Sequence, residues 1–86
     1  MAELWFSEQA DLALRTLEAD PTQDRLLAEV MTWLRLLEDN PGNAYVRRKI
    51  YVGGVRRIDL RSEAWMIAWQ PHGDGDVFVR YIGPDF

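Results

Sequence analysis

"VRRKIYVGGVRRIDLRS", residues 46–62, is where the chain turns from helical to extended patterning. It holds Arg47, Arg48, Lys49, Arg56, Arg57 and Arg61, six of the ten basic residues, against a single acid, Asp59. Gly53-Gly54 divides it into two arms, 45–52 and 55–61, the pattern of a β-hairpin. A two-residue Gly-Gly turn would put Ile58 and Leu60 on the face opposite Val46, Ile50 and Val52. A three-residue loop or one bulge removes that conflict. All five aliphatic residues then share the buried face, with Arg48 and Arg56 near its edges. Arg47, Lys49, Tyr51, Arg57, Asp59 and Arg61 share the open face. This register predicts Lys49 opposite Asp59 and Arg47 opposite Arg61.

Upstream lies the helical half. "ELWF", 3–6, reads as a short first strand, and Ser7 suits a helix N-cap. Ala10, Ala13, Leu14 and Leu17 follow at helical spacing. "ADPTQD", 19–24, ends that helix and starts another: Asp20 or Thr22 can cap it, and Pro21 fits a first turn. Leu26, Leu27, Val30, Trp33, Leu34 and Leu37 form one apolar stripe, a face that packs on a sheet. "DNPGN", 39–43, stops it. Downstream, "AWMIAWQ", 64–70, is the most apolar strand and is predicted to be central. Trp65, Ile67 and Trp69 should point to the core, with Ala64, Met66 and Ala68 on the open face. "PHGDGD", 71–76, reads as a loop, "VFVRYI", 77–82, as the last strand, and Gly83-Pro84 as its end. The fold expected is a single α+β domain over residues 1–86, in the order β-α-α-β-β-β, with two N-terminal helices packed on an antiparallel sheet.

Composition narrows the function classes. The 86 residues carry net charge −4 and no cysteine, which excludes disulfides and thiolate metal sites. Residues 1–43 hold nine acids and three bases, and residues 44–86 five acids and seven bases. That asymmetry argues against a general nucleic-acid binder and allows a local anion-binding face. No stretch reads as a signal peptide or membrane span, so a cytoplasmic location is expected. His72 reads as a surface residue, and turn chemistry explains "HGDGD" better than metal binding. No P-loop, dinucleotide fingerprint or nucleophile elbow is present, and no metal or other cofactor is implied. The open hairpin face is either a solvated surface or a site for phosphate or carboxylate, which guanidinium groups bind bidentately. Basic residues beside Tyr51 and Tyr81 also suit single-stranded RNA.

The order of elements and several short motifs resemble the RelE/ParE superfamily, toxins of bacterial type II toxin–antitoxin modules. "LWFSEQADLALRTL" is similar to that family's opening strand and first helix, and "LRLLEDNP" to the end of its second helix. "RRIDLRS", "AWMIAWQ" and "VFVRYIG" resemble its successive later strands. The resemblance implies a ribosome-associated messenger RNA endonuclease (an mRNA interferase that inhibits translation), silenced by a cognate antitoxin protein. Carried over by position, Arg57 and Arg61 occupy two of the family's basic positions; Arg80 and Tyr81, just before Gly83, substitute in part for the family's later residues, and these four are the candidate catalytic residues, with Arg47, Lys49 and Tyr51 of the hairpin face the candidate RNA-binding ones. Asp59 stands where RelE-type nucleases carry a base, Met66 where they carry a central arginine, and Pro84-Asp85-Phe86 where the family often continues with a basic pair. The active site implied is therefore incomplete. The alternative is a non-catalytic or ParE-like protein of the same fold that acts by binding gyrase or an antitoxin. A third reading is an unrelated small partner-binding α+β domain, since four tryptophans are many for a core of this size.

Overall fold

The structure is a computed structural model that describes residues 2–41, 49–50 and 54–85, with residues 49 and 50 described in their backbone alone. Arg47 and Tyr51 of the candidate site lie outside the described residues, as do Arg48 and the side chain of Lys49.

Strand β1 (Leu4–Phe6) leads into helix α1 (Glu8–Ala19), a short 3₁₀ turn (Pro21–Gln23) and helix α2 (Asp24–Asp39). Ser7 caps α1 as expected, its hydroxyl accepting from the Ala10 N–H. Such a cap contributes about 0.5–2 kcal/mol. Asp20 accepts from the Thr22 N–H and hydroxyl, so it caps the 3₁₀ turn and not α2. Those bonds, the Thr22 side chain first, hold the Asp20 carboxyl below its ordinary pKa.

Four strands follow the helices among the described residues, one for each extended segment read from the sequence, although the order β-α-α-β-β-β counted three: β2 (Lys49–Ile50), β3 (Arg56–Asp59), β4 (Trp65–His72) and β5 (Asp76–Pro84). The sheet order is β1-β5-β4-β3-β2, which puts "AWMIAWQ" in the centre. Strands β2 to β5 run antiparallel to their neighbours, whereas β1 joins parallel to β5, so the sheet is mixed. Both helices pack on one face. Leu17, Leu26, Val30, Leu34 and Leu37 bury against Ile58, Ile67, Trp69, Val77, Val79 and Ile82. Trp65 is partly buried at the margin of this core.

The hairpin register differs from the expected one. Lys49 pairs with Arg57, and Ile50 with Arg56, leaving residues 51–55 between the arms. A slip of two residues keeps every position on its face, so hydrophobic patterning cannot choose between the two registers. For the described residues the expected faces stand: Ile58 is buried on the helix side, and Arg57 and Asp59 lie on the open one. Only the cross-strand partners change, and the pairing of Lys49 with Asp59 is lost.

The loop at 71–76 also differs. Strand β4 continues through Pro71 and His72, and only Gly73-Asp74-Gly75 turn. Pairing between β3 and β4 stops at Trp69. Beyond it β4 has no neighbour on that side among the described residues, so a proline's missing N–H costs no ladder bond there. Gly73 and Gly75 both take left-handed φ, 56° and 95°, which lets so short a turn close.

A bulge in β5 decides what the open face carries. Ala68 pairs with Tyr81 but Trp69 pairs with Val79, so Arg80 is the extra residue. Val77 and Val79 point to the core, Arg80 and Tyr81 do not, and Ile82 points inward again. The apolar spacing of two and then three in "VFVRYI" is the trace of this bulge in the sequence. The Arg80 carbonyl accepts from the Ser7 hydroxyl, so the bulge is locked to the helix cap (2.7 Å). Past Phe6, the Gln9 side chain continues the strand's role. Its amide donates to the Ile82 carbonyl and accepts from the Ile82 N–H, at 2.7 and 3.1 Å.

Candidate functional site

The face of the sheet away from the helices carries most of the candidate residues, and cross-strand register orders them. One row runs from the position of Lys49 through Arg57 and Ala68 to Tyr81. The next runs Asp59, Met66, Gly83. In the other direction lies Gln70 opposite Phe78, which is itself opposite Trp5. Ala68 was expected to form an exposed floor; it is buried, flanked in its row by Arg57 and Tyr81.

Arg57 is not an open cation. Its Nε donates to Asp59 and its second guanidinium nitrogen to Asp85, and the side chain is only 16% exposed. Asp85 is held there by its own backbone, which donates to the Ala64 carbonyl at 2.8 Å. Tyr81 fastens the same segment, its hydroxyl donating to the Pro84 carbonyl at 2.8 Å. The Tyr81 ring lies over Gly83, where a Cβ would come within 2.6 Å of the hydroxyl oxygen. Glycine is thus required at 83 for this tyrosine to lie flat. Among the described residues two carboxylates hold this one guanidinium, so Arg57 meets a phosphate only if a carboxylate moves.

The other arginines divide. Arg56 turns to the helix side, its guanidinium 5.5 Å from the centre of the Trp69 ring and bonded to the Gly54 carbonyl. Arg61 is exposed in the turn after β3, and its backbone N–H donates to Glu29 of α2. Arg80 is exposed on the open face and donates to the Gln70 side chain at 3.2 Å. Arg57 and Arg80 therefore share the face but stand at different rows, and Arg61 lies at the end of the sheet.

Glu29 was missed by sequence reasoning. Its carboxylate accepts from the Arg61 N–H, the Ser62 N–H and the Ser62 hydroxyl, at 2.6, 2.7 and 2.6 Å. Desolvation pushes this carboxyl up, but the Ser62 hydroxyl, the two N–H groups and Trp33 together pull it below its ordinary value. It ties α2 to the β3–β4 turn. The sequence signal was faint: one acid within an apolar stripe, and a turn ending in Ser62.

A second concavity lies on the opposite side. Between β1 and the two helices, a groove of about 470 Å³ has an apolar floor of Leu4, Phe6, Leu14, Met31 and Leu34. Glu3, Glu18 and Glu38 rim it against one arginine, Arg35. Its charge suits a basic partner segment.

No protein-family model and no curated protein matches the sequence. Solved structures do. A chain of the intact E. coli RelBE toxin–antitoxin complex superposes with a TM-score of 0.76 at 21% identity, covering 100% of this chain and 99% of that one. A chain of the chromosomal ParDE toxin–antitoxin system from P. aeruginosa gives 0.72 at 14% identity, covering 100% and 98%. At such identities the likeness speaks for the fold alone. With the two-helix layer, the mixed sheet and coverage from end to end, the chain has the fold of the RelE/ParE toxins.

Proposed function

We propose that this protein is the toxin of a toxin–antitoxin pair and that the open face of its sheet engages RNA on the ribosome. The observation that carries the reading is that face itself: Arg57, Arg80 and Tyr81 lie on it, in a fold shared with toxins solved as toxin–antitoxin complexes. On this reading Arg80 contacts phosphate, and Arg57 does so once its carboxylates are displaced. Tyr81 stacks or relays a proton after leaving Pro84. Arg61, and Arg47, Lys49 and Tyr51 of the hairpin, extend the surface. The antitoxin, with a basic apolar segment, occupies the acid-rimmed groove. On this reading the protein acts in the cytoplasm. Among the described residues, no helix is long and apolar enough to cross a membrane.

Induction of the gene in bacterial cells tests this, with growth followed and messenger RNA ends mapped on ribosomes. The expected result is growth arrest with new 5′ ends inside ribosome-bound messages. Unchanged growth and intact messages would sink it.

One observation favours a second reading. With Arg57 held by Asp59 and Asp85, and Met66 beside them, the fold suits a protein that acts by binding another protein, gyrase among them. Growth arrest with intact messages and damaged DNA would select it.

A further inference from the structure

Three rings meet at one corner of the open face: Trp5 on β1, His72 at the end of β4 and Phe78 on β5. The His72 ring centre lies 5.7 Å from that of Trp5 and 5.9 Å from that of Phe78, tilted by 58° and 41°. Extension of β4 through His72 and the parallel docking of β1 on β5 bring them together. The corner is apolar but not buried, since Trp5 is 47% exposed and His72 is exposed. An indole left half in water contributes less to the core than the fully buried Trp69.

Arg80 lies two residues after Phe78 on β5. Its described contact is the Gln70 side chain, in the row of Trp5 and Phe78. Among the described residues it makes no ion pair. The carboxylate nearest on its strand, Asp76, accepts from the Glu3 N–H. The corner therefore offers exposed ring faces in the strand row of Gln70, whose side chain bonds a guanidinium that makes no ion pair among the described residues. A protein segment needs an apolar recess, such as the groove between β1 and the helices on the other side. An unpaired nucleobase needs only a ring face, and its phosphate a cation within one nucleotide.

The geometry points to a nucleobase-stacking site at Trp5, His72 and Phe78, with Arg80 holding the adjoining phosphate of a single strand. The inference rests on the reading that the open face meets RNA, and it moves the contact from Arg57 to the opposite end of the face.

Fluorescence anisotropy with a labelled twelve-nucleotide RNA of mixed sequence tests it. Trp5→Ala should weaken binding roughly tenfold, and Trp5→Phe, which keeps a ring, by roughly threefold or less. Arg80→Gln should lower the dependence of log affinity on log salt by about 0.7, the share of one phosphate on a single strand. It removes no core contact, so it reports even if Trp5→Ala fails to fold. The same losses on a DNA strand of equal sequence also support the site, because stacking reads the base and not the sugar.

The inference is overturned if the native protein leaves the RNA unbound at 100-fold the concentration usual for such strands, roughly micromolar. It is also overturned if Trp5→Ala and Arg80→Gln bind as the native protein does, or if they weaken only the complex with a protein partner. The broader reading fails separately: intact messages after induction remove the ribosomal target, while a tenfold loss in Trp5→Ala would still uphold the stacking site.

Discussion

Arg57 and Arg80 occupy the same face of the same sheet and have opposite surroundings. Arg57 is mostly covered and held by two carboxylates of its own chain, one of them anchored through the Ala64 carbonyl. Arg80 is exposed, bonded to a neutral amide, and two residues after Phe78 of the ring corner. The difference teaches that a count of arginines does not locate an anion site. A guanidinium already satisfied by carboxylates has little left to offer a phosphate, whereas one facing water and an amide keeps its charge available.

The comparison can be broken most sharply at Met66. This side chain stands opposite Asp59 and Gly83, in the row next to Arg57. Met66→Arg adds a cation opposite Asp59 and beside the Arg57 row. Message cleavage should rise by up to about 10²–10³-fold, the scale of one transition-state donor. Mapping of messenger RNA ends after induction checks it; no change would mean that the Arg57 end takes no part in cleavage.

Gly83→Ala attacks the latch of that end. Its new Cβ collides with the Tyr81 ring, and the tail bearing Asp85 must shift. A loss of about 1–3 kcal/mol is expected, as for overpacking elsewhere, and urea denaturation measures it. A gentler form is Asp85→Asn, which keeps the shape and removes one charge. Affinity for a short RNA should rise roughly three- to fivefold, in line with the contribution of about 1 kcal/mol typical of an exposed ion pair. If affinity is unchanged, Arg57 is not suppressed by Asp85.

The smallest expected effect is the pH dependence carried by Glu29. Its folded-state pKa is depressed, so as pH falls the unfolded chain takes up the proton first. The stability it contributes is therefore complete above its ordinary value of 4.5 and is lost as pH falls through the lower folded value. Glu29→Gln should be less stable than the native protein at pH 7, and the gap should close below pH 4.5. Thermal unfolding at the two pH values checks this; a gap of constant size would assign the loss to packing.

Much of the fold was legible in the sequence, and the reasons are specific. Leu26, Val30, Leu34 and Leu37 repeat at helical spacing, Ile67 and Trp69 alternate, and Ser7 stands before a helical run; each pattern has one physical solution. Patterning was blind where two solutions bury the same residues. The hairpin register shifts by two without moving a side chain to the other face, so only the turn could decide it. The bulge at Arg80 was written in the spacing of Val77, Val79 and Ile82, but a strand read as strict alternation passes over it. The site was less legible because its chemistry is made by distant partners. Asp85 reaches Arg57 across two strands, and Trp5 meets His72 only because β1 docks parallel to β5. No local motif encodes either meeting. The parallel pairing, and the strand running through Pro71, depend on which neighbours each strand finds.

The most direct measurement is a titration of the ¹⁵N-labelled protein with single-stranded RNA, followed by NMR. The Trp5 indole N–H and the backbone N–H of Arg80 should shift first and furthest, while the Arg57 resonances stay in place until Asp85→Asn is introduced. Shifts confined to Leu14, Met31 and Leu34 in the groove, or to Arg57 in the native protein with Trp5 unmoved, would contradict the account.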